Sequence, residues 1–133
     1  MKPHVHPDHT VCLAKLQCQG RASIVDLRGQ FNETNIRYLT GILRAAIGRK
    51  HVRAILLCLR HLLCIDSGFL HVLLSFSRAA TRAGVVVAIV VPEFEGCRRV
   101  FDLMELAPVV HTFSTRDEGV AYIQSLFPIP LAG

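Results

Sequence analysis

Several things are missing from this chain, and each absence removes a class of function. No apolar run reaches the length of a membrane span; the longest near-continuous one, Val85 to Pro92, has the length of a strand. The N-terminus carries no apolar leader segment, so nothing in it directs secretion. The five cysteines (Cys12, Cys18, Cys58, Cys64, Cys97) are odd in number and form no CxxC pair. That argues against a disulfide framework and for reduced, packed thiols in a cytoplasmic protein, with Cys64 the one placed for redox chemistry. The glycine patterns of a dinucleotide fold or a P-loop are absent, as are zinc-finger spacings and a helix-turn-helix. The histidines at 51, 61, 71 and 111 have no carboxylate or nucleophile at catalytic spacing, so the chain does not read as an enzyme, and no cofactor or bound metal is expected.

What is present is a foldable chain of 133 residues, 51% hydrophobic, with Lys and Arg exceeding Asp and Glu by 15 to 10. One domain of this length buries a core without staples. The basic residues are scattered from Arg21 to Arg99 with no interleaved aromatics, so direct nucleic-acid contact is not expected, and an acidic protein partner suits the charge. No contact with a membrane is expected either. Residues 1–10 are polar, proline-broken and contain His4, His6 and His9. This HxHxxH could hold a metal only on a structured frame, so the segment reads as a flexible tail.

From residue 11 the pattern becomes regular. Val11 to Gln17 and Ala22 to Leu27 read as strands joined by a short glycine turn, a hairpin-like pair. Asn32 and Thr34 are cap candidates before a helix whose apolar face is Ile36, Leu39, Ile42, Leu43, Ala46 and Ile47. Ala54 to Leu59 is a buried strand. A helix from Ser67 to about Arg82 follows, with Phe69, Leu73, Phe76, Ala80 and Ala83 at helical spacing and Gly84 as its C-terminal stop. Val85 to Val91 is an apolar strand, and a helix opening at Pro92 turns Phe94, Cys97, Val100, Phe101 and Met104 inward. After a strand over 109–113, Thr115-Arg116-Asp117-Glu118 is a capping box for a final helix. The expected fold class is therefore α/β: a mostly parallel sheet, an N-terminal strand pair and about four helices, over residues 11–127, with 128–133 a tail.

The most informative junction is Cys64-Ile65-Asp66-Ser67-Gly68-Phe69-Leu70. Asp66, Ser67 and Gly68 sit where a strand end becomes a helix start, against free backbone N–H groups and the positive end of the helix dipole. Asp or Ser at such a place is commonly an N-cap, and a hydroxyl there can also hold a phosphate.

Element order and this junction together resemble the STAS family, and within it the bacterial anti-sigma factor antagonists. The run Ala54–Leu70 is similar to the signature strand, loop and D-S-[SAG]-x-[GL] helix start of that family, and Arg98 to Leu106 resembles its third helix. The resemblance implies a STAS-like fold and a binding switch. Ser67 would be phosphorylated by an anti-sigma factor that is also a histidine-kinase-like ATPase, and a serine phosphatase would reset it. The unphosphorylated protein would hold that kinase and free a sigma factor for transcription. Asn32, Asp66, Ser67, Gly68 and Phe69 are then the expected partner surface, with a homodimer left open. Three positions depart from the family pattern: Phe69 where a small residue is usual, Asn32 for Asp, and Cys58 for Asp. The alternative is a scaffold subunit of a stressosome-like or transporter complex in which Ser67 only caps the helix.

Overall fold

In the computed structural model the described residues are 4–5, 12–32, 34–103 and 110–126. Their order is β1 (His4–Val5), β2 (Cys12–Gln19), β3 (Ala22–Phe31), α1 (Ile36–Ile47), β4 (Ala54–Ile65), α2 (Ser67–Arg82), β5 (Val86–Val90), α3 (Glu95–Leu103), β6 (His111–Phe113) and α4 (Arg116–Leu126). The strands form one six-stranded sheet in which spatial order repeats sequence order, β1-β2-β3-β4-β5-β6. β1, β2 and β3 are antiparallel, and β3 to β6 are parallel. The expected α/β class, mostly parallel sheet and four helices are all present. The polar leader adds one element to the strand pair, because His4–Val5 pairs with Leu13 and Ala14 at the sheet edge. His6, His9 and the 128–133 tail lie outside the described residues.

The topology explains the layering. Each step from β3 to β6 moves to the next strand in the same direction, and a parallel crossover is right-handed. Three successive crossovers of one hand in one direction put α1, α2 and α3 on one face. There Val25, Leu27, Ile55, Leu57, Leu59, Val87 and Ile89 pack with Leu39, Leu43, Leu73, Ala80 and Phe101. α4 crosses to no further strand and covers the opposite face, with Ile123 against Ile24, Leu56, Cys58, Ala88 and Val90. β4 alternates between these two cores, which is why its first six residues are all buried.

Local signals set the element ends. β2 and β3 join through Gly20-Arg21, with Gly20 at φ +55 supplying the left-handed residue a tight hairpin needs. α2 ends in paired bonds, Val85 N–H to the Ala80 carbonyl (2.9 Å) and Gly84 N–H to Thr81 (3.0 Å), with Gly84 at φ +82. The Thr115/Glu118 capping box forms as expected. Glu118 N–H donates to Thr115 Oγ1 at 3.2 Å, and Thr115 N–H donates to Glu118 Oε1 at 3.1 Å.

Three boundaries differ from expectation by more than two residues. β3 runs on to Phe31 and β4 to Ile65, past the polar residues Arg28, Gln30, Arg60 and His61. β5 pairs β4 only as far as Cys58, so beyond that point β3 and β4 form a two-stranded ribbon with register shifts near Gly29 (φ +88). One side of this ribbon is solvated, and the other buries Phe31, Leu62 and Ile65. Finally, α3 starts at Glu95, not Pro92. The Phe94 carbonyl accepts the Arg98 N–H at 2.8 Å, which makes Phe94 the cap position and leaves its ring 55% exposed instead of inward. Met104 lies outside the described residues.

Candidate functional site

The candidate site forms at the carboxyl ends of β3 and β4, where a parallel sheet presents its connections. Phe31 pairs with Ile65 in the last register of the ribbon, so Asn32 and Asp66 leave two neighbouring strands side by side. At the strand spacing of about 4.8 Å the two connections share one surface.

Asp66 is the N-cap of α2. Its backbone is extended (φ −121, ψ 179), and its Oδ1 accepts the Phe69 N–H at 2.9 Å. Its own carbonyl takes the Leu70 N–H. Ser67, the first helical residue, is exposed, and its hydroxyl makes no hydrogen bond to a described residue. The expectation that Ser67 caps the helix in the scaffold reading is thus corrected, because Asp66 occupies that role and leaves the hydroxyl free. Gly68 is exposed too, and a Cβ there would stand 3.4 Å from Asp66 Oδ1, so glycine keeps the space beside the carboxylate clear. α2 has no acidic residue in its first turn, and the N–H groups of Ser67 and Gly68 remain for an anion at this helix start.

Phe69 does not belong to this surface. Its side chain is 0% exposed, and its ring lies 5.7 Å from that of Phe31, tilted at 50°. Phe31 in turn stacks on Tyr38 of α1. The assignment of Phe69 as a partner contact is therefore corrected to a core residue. As the third residue of α2 it points back under the sheet, on the same stripe as Leu73 and Ala80.

The β3–α1 connection is held by two asparagines. Asn32 Oδ1 accepts from Thr34 N–H (2.9 Å) and from Thr34 Oγ1 (2.6 Å), an Asx turn instead of a helix cap. Asn35 occupies the cap position without capping. Its Oδ1 accepts the Asn32 N–H and its Nδ2 donates to the Gln30 carbonyl, both at 2.9 Å, and the residue is fully buried. Sequence reasoning missed Asn35 because three cap-type residues crowd four positions there, and only the backbone path decides among them. It also missed Leu63 and Phe94, which are 56% and 55% exposed. They line an open groove of about 490 Å³ with Arg28, Arg60, His61 and Glu93, beside the same carboxyl end. Arg60 and Glu93 are paired at 3.1 Å across it.

Two of the thiols, Cys58 and Cys97, are buried, whereas Cys18 and Cys64 are exposed. Burial pushes Cys58 up to about 11; Asp26 adds to the rise and Arg116 opposes it. Burial likewise holds Cys97 at about 11, with Cys64 adding to it. Both are neutral packing groups at physiological pH. Among the described residues no cluster of His, Cys, Asp and Glu could hold a metal, and no helix is long and apolar enough to cross a membrane.

What the arrangement can do follows from these parts. It offers an exposed, unengaged hydroxyl and two free N–H groups on a rigid helix start, braced by Asp66 and by the Phe69–Phe31 contact.

The family model of the STAS domain matches residues 14–119. No curated protein sequence matches the chain. Among solved structures, an anti-sigma factor antagonist from Mycobacterium paratuberculosis is similar over 91% of this chain and 99% of its own, at 18% identity and a TM-score of 0.71. The Bacillus cell fate determinant SpoIIAA in its phosphorylated form is similar over 83% and 98%, at 18% identity and 0.64. A putative anti-sigma factor antagonist from Thermotoga maritima is similar over 84% and 94%, at 22% identity and 0.67.

Proposed function

The chain belongs to the STAS domain family, and from that premise we propose that it acts as an anti-sigma factor antagonist whose hold on its partner is set by phosphorylation of Ser67. It is a binding protein in the cytoplasm, not an enzyme. The partner is an anti-sigma factor of the histidine-kinase-like ATPase type, which transfers a phosphoryl group from ATP to the Ser67 Oγ as the hydroxyl proton leaves. A serine phosphatase removes it by hydrolysis.

The observation that carries this reading is the division of labour at the start of α2. Asp66 supplies the cap, so the Ser67 hydroxyl is spare, exposed and accessible to a kinase. Phosphorylation adds about two negative charges next to Asp66, on the surface shared with Asn32 and Gly68. A partner packed there meets like-charge repulsion and must desolvate a dianion, whereas the fold itself tolerates the group at a helix N-terminus. With Phe69 buried, Leu63 and Phe94 on the adjacent groove are the apolar anchors available to the partner.

The test is capture from native lysate on wild-type, Ser67→Ala and Ser67→Glu baits, followed by incubation of the captured partner with ATP. A kinase-like ATPase is expected on wild type and Ser67→Ala and absent from Ser67→Glu, with one phosphate added to Ser67 of the wild type and none to Ser67→Ala. Partners indifferent to residue 67, with no phosphate at Ser67, would overturn the proposal and leave an assembly module.

A further inference from the structure

The helix pair α1 and α2 forms a second surface, which begins one turn along α2 from Ser67. Both helices lie on one face of the sheet, and a recess of about 330 Å³ opens between them. Leu43, Val72 and Phe76, buried or half-buried, make its floor. Arg44, His71 and Ser75, all exposed, make its rim. On α2 the rim continues as a stripe, because His71, Ser75, Arg78 and Arg82 recur at helical spacing on one side. On α1 Gly41 stands one turn before Arg44, and a Cβ there would find nothing within 4 Å, so the trough is open at that point.

The pair is also free of acid. Residues 36–50 and 67–84 hold six Lys and Arg and no Asp or Glu. Arg49 is engaged by the carbonyls of Gly20 and Ala22. The guanidinium groups of Arg44, Arg78 and Arg82 belong to exposed residues and make no ion pair or hydrogen bond with a described residue. Of the carboxylates around them, Asp66 caps α2 at the Ser67 end. Glu93 pairs with Arg60, Glu95 with Arg99 and Asp102 with Arg98. α3 follows β5, so α2 stands between the recess and α3. Asp26 lies beside Cys58 on the α4 side of the sheet, and Asp117 and Glu118 belong to α4 itself. Asp8, Glu33 before α1 and Glu105 after α3 are outside the described residues.

We propose that the trough between α1 and α2 docks an acidic amphipathic helix of a partner protein, its apolar ridge in the recess and its flanking carboxylates on Arg44, Arg78 and Arg82. Two neighbouring helices leave between them the groove into which the side-chain ridge of a third packs. The amides inside α1 and α2 are used within those helices, so an extended peptide would find no backbone partner here, whereas a helix brings its own bonds already made. The cations extend past the recess. From His71 to Arg82 the stripe runs about 16 Å at 1.5 Å per residue, the span of three helical turns, which a small fatty anion would leave mostly unused. A bilayer or a nucleic-acid duplex would meet the cations but could not reach an apolar floor that is sunk between two helices. The reading does not rest on phosphorylation of Ser67.

The experiment titrates the full, unphosphorylated chain into a fluorescein-labelled synthetic helix and follows anisotropy over a sodium chloride series. The probe has about four turns, with leucines along one face, glutamates on both sides of them and alanine elsewhere. It is expected to bind, and to bind more weakly as salt rises. A peptide of the same composition with the leucine spacing scrambled, and one with lysine for glutamate, should each bind at least about tenfold more weakly. Arg44→Glu/Arg78→Glu should lose about tenfold or more. The charge-matched control Arg21→Glu/Arg53→Glu, on exposed residues outside the trough, should stay within about twofold of wild type. Ser75→Trp fills the recess from an exposed position and should also lose about tenfold, with its melting curve unchanged. Failure of the leucine–glutamate helix to bind would overturn the proposal. Equal losses in the two double-arginine variants would reduce the effect to net charge, and indifference to Ser75→Trp would place the contact elsewhere; either result overturns it. Displacement of the probe by decanoate, phosphatidylglycerol vesicles or duplex DNA at a lower concentration than the unlabelled peptide requires would overturn it in favour of that ligand.

Discussion

Replacing Asp66 and Ser67 one at a time separates the brace from the switch. Asp66→Ala removes a cap bond of 2.9 Å to the Phe69 N–H, a loss of about 1 kcal/mol. It also removes a negative charge from the positive end of a 16-residue helix, worth roughly 0.5 kcal/mol more. With unfolding entropy near 2.1 cal/mol/K per residue over 133 residues, a total of about 1.5 kcal/mol lowers the melting temperature by about 5 °C. Asp66→Asn keeps a capping oxygen and gives up only the charge, so it should cost roughly a third as much. Ser67→Ala removes an exposed hydroxyl with no partner among the described residues, and its effect should stay within about 0.5 kcal/mol. Urea titrations followed by circular dichroism would rank the three variants. If Ser67→Ala cost as much as Asp66→Ala, the hydroxyl would be engaged in the fold and the assignment of roles would fail.

Three further outcomes follow from the packing. Phe69→Ala should destabilise by about 3–5 kcal/mol, since a fully buried ring leaves a cavity against Phe31; a loss below ~1 kcal/mol in the same titration would return Phe69 to the surface. Gly119→Ala would put a Cβ 2.7 Å from Leu56 Cδ1 and should cost about 1–3 kcal/mol despite the better helix propensity. Gly41→Ala, with nothing within 4 Å, should gain about 0.5–1 kcal/mol, and equal shifts in the two melting curves would contradict the close approach of α4. Cys58 and Cys97 hold their protons up to about 11 in the fold but only to 9.0 when unfolded. Between those values the native state binds more protons, so their stabilisation is complete below pH 9 and is lost as pH rises through 11. Stability measured from pH 8 upward should fall less steeply in Cys58→Ala/Cys97→Ala, and identical slopes would refute the burial argument.

The sequence is most legible where one local signal has a single structural solution. α2 begins at Ser67 and ends at Arg82 as its spacing requires, because an Asp cap and a C-terminal glycine bracket it. The Thr115/Glu118 box and the apolar β5 are equally unambiguous. Legibility fails where several residues compete or where burial changes side. Phe69 belongs to the inward stripe of α2, yet its neighbours at the helix start are exposed; only the exact onset of the helix turns position 69 under the sheet. The polar residues Arg28 and Arg60 hide the continuation of β3 and β4, because the ribbon they form is solvated on one side. At the site itself, Asp66, Ser67 and Gly68 were visible as a junction, but which of two cap-type residues takes the bond depends on an extended φ and ψ at residue 66.

The coincidence of spatial and sequence order in the sheet also bears on how the chain is made. Each strand from β2 onward hydrogen-bonds to the strand synthesised just before it. A chain emerging N-terminus first can therefore add each strand to an edge already in place, without reserving a gap for a later insertion. Each parallel pairing nevertheless closes over a whole helical crossover, as from Ala22 to Ala54 and from Ala54 to Val86, and such non-local closures are slow. Until the last strand arrives, however, the growing parallel edge is an open template for pairing with another chain. β6, only three residues long, closes that edge. Its brevity leaves little for a second molecule to pair with, so the final strand works as an end-stop to growth as well as a member of the sheet.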